Sequence, residues 1–186
     1  MSIDTATTAT TPPGAAATAS GAHPARAAIG EVVYRFEGRL GELYPLGLFA
    51  EGIRFHNTFE GRVVDGPFAG GRIFGIDKFL LRPDGIGEIV APEVIDDGVH
   101  RVELDVRGYV VPPAGAPVPP LEALLEPGFE FPDVDFRVTG SAAARTVAAG
   151  HDHLNGTAVV VEGTVNMGTG ALDVTAYAVR PTGVQA

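Results

Sequence analysis

Between Gly61 and Gly108, apolar runs are interrupted repeatedly by residues that turn a chain: Asp65-Gly66-Pro67, Gly70-Gly71, Arg82-Pro83-Asp84-Gly85 and Asp96-Asp97-Gly98. Asp-Gly and Gly-Gly pairs supply the positive-φ positions that tight hairpins need. Long helices do not survive such punctuation. The block therefore predicts antiparallel strands joined by hairpins, closed or nearly closed on themselves.

The flanking segments extend the pattern. Val32, Tyr34 and Phe36 alternate with Val33, Arg35 and Glu37, the period of a strand with one buried face. Further strands are predicted over residues 46–54, 56–64, 72–82, 87–95, 99–111, 133–139, 156–167 and 170–180. In the 99–111 strand, Val102, Leu104 and Val106 share one face, and Arg101, Glu103, Asp105 and Arg107 share the other. Such two-sided strands belong to antiparallel sheets or barrel walls. The last two strands form a hairpin around Gly168-Thr169-Gly170. Pro119-Pro120 ahead of Leu121–Leu125, with Pro127-Gly128 behind, predicts one short helix that could plug a barrel end. A surface loop anchored by leucines is the alternative.

Residues 1–28 are almost all Ala, Thr, Pro, Gly and Ser and carry no apolar period. They read as a flexible tail, or else as an arm that docks on a partner subunit. A single barrel domain is expected over residues 29–182. The chain has 186 residues, 45% of them hydrophobic, enough for one real core. Its formal charge of -10 disfavours sequence-independent nucleic-acid binding, since phosphates reward Lys and Arg. With no cysteine, thiolate catalysis, disulfides and Cys-ligated metals are excluded. No apolar run approaches the roughly 20 residues of a membrane helix. Nor does the N-terminus read as a secretory signal, so no membrane partner and a cytoplasmic location are expected.

Several residues could carry chemistry. Asp77 sits inside a strongly apolar strand, so it is either an outward salt-bridge partner or a buried acid with a raised pKa. Arg54, His56 and Asn57 lie close together and could line a polar lumen with Arg101, Glu103, Asp105 and Arg107. The simpler reading makes that charged face the outer wall. His151-Asp152-His153 could converge as an acid/base pair if it lies on a strand, where residues i and i+2 share a face. A metal there lacks obvious further ligands, and a solvated turn before the next strand is the commonest explanation of such a cluster. Asp84 and Asp97 read as hairpin residues. There is no Gly-x-Gly-x-x-Gly strand–helix turn, P-loop or Gly-x-Ser-x-Gly elbow, so no cofactor is indicated.

Taken in order, Gly70-Gly71, Gly75-Ile76-Asp77, Arg82-Pro83-Asp84-Gly85, Asp96-Asp97-Gly98 and Arg107-Gly108-Tyr109, with Leu154-Asn155 ahead of the final hairpin, give the chain a family likeness. It resembles the bacterial family named domain of unknown function 3237 across most of residues 30–180. The resemblance implies a small calycin-like β-barrel, often oligomeric, so a homo-oligomer is expected. It implies little chemistry. The chain departs from the family where an arginine and an aromatic are usual, reading Val90-Ala91-Pro92-Glu93 instead, and places His151 and His153 where aromatics are common.

Two functions follow as expectations. One is a cofactor-independent cyclase, isomerase or lyase for a small, partly hydrophobic metabolite held in the lumen. Asp77, His56, His151 or His153 would move a proton, while Arg54, Asn155, Arg72 and Asn57 would bind substrate. The other is a lipocalin-like carrier of a hydrophobic small molecule. A lumen of about 300 Å³ or more with an inward acid would favour the enzyme. An apolar one would favour the carrier, and a filled one neither.

Overall fold

The computed structural model describes residues 27–181. Eight strands follow one another around a closed antiparallel barrel, each bonded to its sequence neighbours, with β8 closing on β1. They are β1 Ala27–Phe49, β2 Gly52–Asp65, β3 Arg72–Leu81, β4 Gly87–Asp96, β5 Arg101–Val111, β6 Asp135–Thr146, β7 Ala158–Asn166 and β8 Ala171–Pro181. The tail expected over residues 1–28 lies, but for Ala27 and Ala28, outside the described residues. No helix among the described residues is long and apolar enough to cross a membrane.

The turn signals do what their chemistry allows. Asp84 Oδ1 accepts from the Ile86 N–H, and Asp97 Oδ1 accepts from the N–H groups of Val99 and His100. Gly85 and Gly98 adopt positive φ in these turns. The first predicted break needs correction: β1 runs unbroken to Phe49 and turns at Ala50-Glu51, so residues 46–54 are two strands rather than one. β1 also carries a register shift between Val32 and Tyr34, which buries Val33 and Tyr34 together. Strict alternation cannot express such a bulge. β6 extends to Thr146, well past its predicted end, because Ala142 and Ala144 fill inward positions without an apolar signature.

Leu121–Leu125 forms a 3-10 turn within the 112–134 crossover. This crossover lies at the barrel end shared with the β1–β2, β3–β4 and β7–β8 turns. There Leu121, Leu124 and Phe131 pack against Ile53, Phe55, Phe79, Ile89, Val110, Val138 and Val165. The opposite end is sealed by a second cluster in which Phe68, from the β2–β3 loop, packs with Ile73, Ile95, Val102, Leu104 and Leu154. Two apolar layers therefore cap a central chamber.

Candidate functional site

The inner face of β2 carries Ile53, Phe55, Asn57, Phe59 and Val63, all buried. On β3 the same parity carries Ile73, Gly75, Asp77 and Phe79, and on β4 it carries Ile89, Ala91, Glu93 and Ile95. Two carboxyl groups therefore sit on an otherwise apolar wall. Asn57 pairs directly with Asp77, and Gly75 with Glu93, so the two acids are diagonal neighbours on one face. The β3–β4 ladder skips Ile76 and Asp77 opposite Ala91-Pro92, where Pro92 has no N–H to donate.

Gly75 makes the arrangement possible. A Cβ there would meet Pro92 O at 2.5 Å and the Phe59 ring at 2.8 Å. With no side chain opposite it, Glu93 is free to take the Tyr34 hydroxyl, which donates to its Oε1 at 2.6 Å. Tyr34 is fully buried and Glu93 nearly so. Asp77 Oδ1 and Asn57 Nδ2 are buried without a hydrogen-bond partner.

Burial dominates the electrostatics. It pushes Asp77 up to about 7 from the ordinary aspartate range. Burial likewise pushes Glu93 up to about 7, with the Tyr34 hydrogen bond opposing and the charge of Asp77 assisting. The Tyr34 phenol is raised in turn by its own burial and by Glu93. The charge of Asp77 raises Glu93, so the two carboxyl groups interact.

These groups border a chamber of about 60 Å³, walled otherwise by residues such as Phe36, Phe59, Phe79, Val106 and Met167. That is room for a few water molecules, so the lumen has the inward acid but not the roughly 300 Å³ expected of an enzyme's pocket. A second chamber of about 50 Å³ lies under the 112–134 crossover and shares Phe79, Val110 and Met167 with the first.

The other residues singled out in the sequence are elsewhere. His56 has outward parity on β2, between the buried Phe55 and Asn57. Arg54 is half exposed and paired with Glu51, and Arg72 is exposed and paired with Glu60. The charged face of β5 is outer wall, Arg101 bonding Asp96 and Arg107 bonding Asp105. His151 and His153 lie in or beside a 3-10 turn over Asp152–Gly156, not on a strand. His151 packs on Phe68, with ring centroids 4.8 Å apart, at the sealed end and away from the acids. Asn155 is a clamp: its Oδ1 accepts from the Thr146 N–H at 2.8 Å and its Nδ2 donates to the Thr146 carbonyl at 2.9 Å. Asn155→Ala should cost about 1–2 kcal/mol in urea unfolding and leave any lumen chemistry unchanged. A loss of activity without a loss of stability would contradict a purely structural role.

Sequence reading missed Glu93 and Tyr34. Glu93 shares the parity of Ile89, Ala91 and Ile95, which was signal enough. Tyr34 shares the period of Phe36, but its bond to Glu93 spans 59 residues of sequence.

No protein-family model and no curated protein matches the chain. Solved structures do resemble it. A conserved protein of unknown function from Rhodopseudomonas palustris is 19% identical with a TM-score of 0.61, covering 86% of this chain and 100% of that one. A β-barrel-like protein from Acinetobacter baumannii is 22% identical with a TM-score of 0.65, covering 85% and 99%. A protein described as an enzyme from Penicillium herquei is 17% identical with a TM-score of 0.50, covering 86% and 99%. Likeness at these identities shows the barrel fold alone.

Proposed function

We propose that the barrel is a cofactor-independent acid/base enzyme, an isomerase, cyclase or lyase acting on a small, partly hydrophobic metabolite in the lumen. The observation that carries this reading is a pair of carboxyl groups enclosed together in an apolar chamber with no cation among the lining residues. Such an arrangement is costly for folding and useful for proton transfer. The fungal neighbour described as an enzyme lends the reading support through the shared fold only. Family membership in the domain of unknown function 3237 group belongs to the same proposal.

The chemistry divides between the two acids. In its ionised form, which the Tyr34 hydrogen bond favours, Glu93 takes a proton from the substrate carbon or hydroxyl. Asp77, without a partner and still protonated, donates a hydrogen bond to the oxygen on which charge develops. Returning the proton at another atom isomerises the substrate, and expelling or closing on a neighbouring group gives elimination or cyclisation. A carrier would need no titrating pair, which is why the acids weigh against it.

A probe reaction tests this without knowledge of the natural substrate. Deuterium uptake from D2O into a small enolisable ketone, cyclohexanone, should be accelerated at least about 100-fold over buffer. The profile should be bell-shaped and centred near 7, where the pair holds one proton. Below that range the base is lost, and above it the acid. No acceleration, or a rate without an acidic fall, would count against the reading.

A further inference from the structure

We propose that the lumen selects an uncharged, ring-sized ligand that spans both chambers, with its hydrogen-bonding group at Asp77 and Glu93, its apolar end under the 112–134 crossover, and Met167 setting how large a body fits. This rests on the reading of the lumen as the site and names the class of molecule it takes.

Charge sets the first limit. The lining of the two chambers holds two carboxyl groups and one phenol, but no Lys, Arg or His. An anion would lose its water and face like charge with no compensating partner. An uncharged hydroxyl or enol instead offers a hydrogen bond to carboxyl groups starved of partners.

Size and polarity set the second. Each chamber alone is smaller than the roughly 150 Å³ that holds a benzene ring, and the two joined still fall short of it until a side chain between them moves aside. The outer chamber is walled by apolar groups, including Leu81, Val118, Leu124 and Phe131. Phe79, Val110 and Met167 stand between the two. Of these three, Met167 is unbranched and the most adaptable. It also sits in the β7–β8 turn rather than in a strand. That turn is tied to the crossover: Asn166 Nδ2 donates to Asp133 and Asp135, and Asn166 Oδ1 accepts from the N–H groups of Gly168 and Thr169. A Met167 rotamer change therefore joins the chambers without breaking the barrel ladder.

A matched pair tests the proposal by calorimetry and by backbone amide shifts at pH 7.5: benzyl alcohol and benzoate. Benzyl alcohol should bind and shift Asp77, Val110 and Met167 together, with benzoate at least about tenfold weaker. Met167→Ala should tighten binding of the bulkier 2-naphthylmethanol about tenfold, and Met167→Trp should weaken benzyl alcohol by a similar factor. Met167→Leu, which conserves volume, should behave as the native chain and controls for misfolding. Equal or tighter binding of benzoate would overturn the proposal, as would indifference to residue 167. Selective alcohol binding without proton exchange would sink the catalytic reading alone. Exchange with unselective binding would sink this inference alone.

Discussion

Asp77→Asn should make the protein more stable at pH 8 by about 2–4 kcal/mol, roughly 5–10 °C in melting temperature, and should leave it unchanged near pH 3. The sign follows from the direction of the shift. The folded state raises the Asp77 pKa to about 7, so the native chain keeps the proton that the unfolded chain releases near 4. Between those values the unfolded state binds fewer protons, and stability falls as pH rises. Above 7 the full cost of a buried charge is present. Below both values neither state is ionised, and Asn and Asp are equivalent neutral groups. Asn keeps the shape and never ionises, so it relieves the cost only at high pH. A substitution that destabilises at pH 8 would mean that Asp77 is ionised and well compensated in the fold. Glu93→Gln should follow the same course, with a smaller gain because the Tyr34 hydrogen bond already favours the charged form.

The same Asp77→Asn substitution should lower proton exchange into cyclohexanone by about 10²–10⁴-fold while benzyl alcohol affinity changes no more than a few-fold. The more stable protein would thus be the inactive one, the mark of a fold that carries cost at its site. Glu93→Gln should also lose most exchange, since no base remains to take the substrate proton. Tyr34→Phe should act differently. It removes the hydrogen bond that holds the Glu93 pKa down, so the optimum should move to higher pH with the maximum rate less affected. If Asp77→Asn kept its activity, Asp77 would have no part in the chemistry. A fall in binding as large as the fall in rate would make it a binding residue instead.

Much of this was legible in the residues, and the gaps have physical causes. The hairpins at Arg82–Gly85 and Asp96–Gly98 were readable because a tight turn depends on a few local residues, and Asp84 and Asp97 bond the backbone as expected. Asp77 was readable because it interrupts an apolar strand. The place of His56 outside and Asn57 inside followed from parity with Ile53, Phe55 and Phe59, but the cluster of polar residues suggested a common site that a two-residue period forbids. Glu93 shares the inward parity of Ile89, Ala91 and Ile95 within the strand predicted over 87–95, but its partner Tyr34 lies on another strand and marks it only in the fold. Tyr34 shares the period of Phe36 and so reads as inward, but its bond to Glu93 joins strands 59 residues apart and belongs to no local pattern. His151 and His153 lie in the turn that Gly150 and Gly156 bracket, which is the solvated-turn reading of the cluster and not its strand alternative. The lumen volume belongs to no local pattern. It depends on how Phe36, Phe59, Phe79 and Met167 meet across the barrel.

The central claim is that two enclosed carboxyl groups titrate together near neutrality. Carbon-13 NMR of the Asp77 and Glu93 side-chain carboxyls, followed from pH 3 to pH 10, tests it directly, with Asp77→Asn and Glu93→Gln giving the assignments. The account calls for midpoints near 7 for both groups, and for the Glu93 midpoint to fall when Asp77 is replaced. Midpoints near 4, independent of each other, would contradict it.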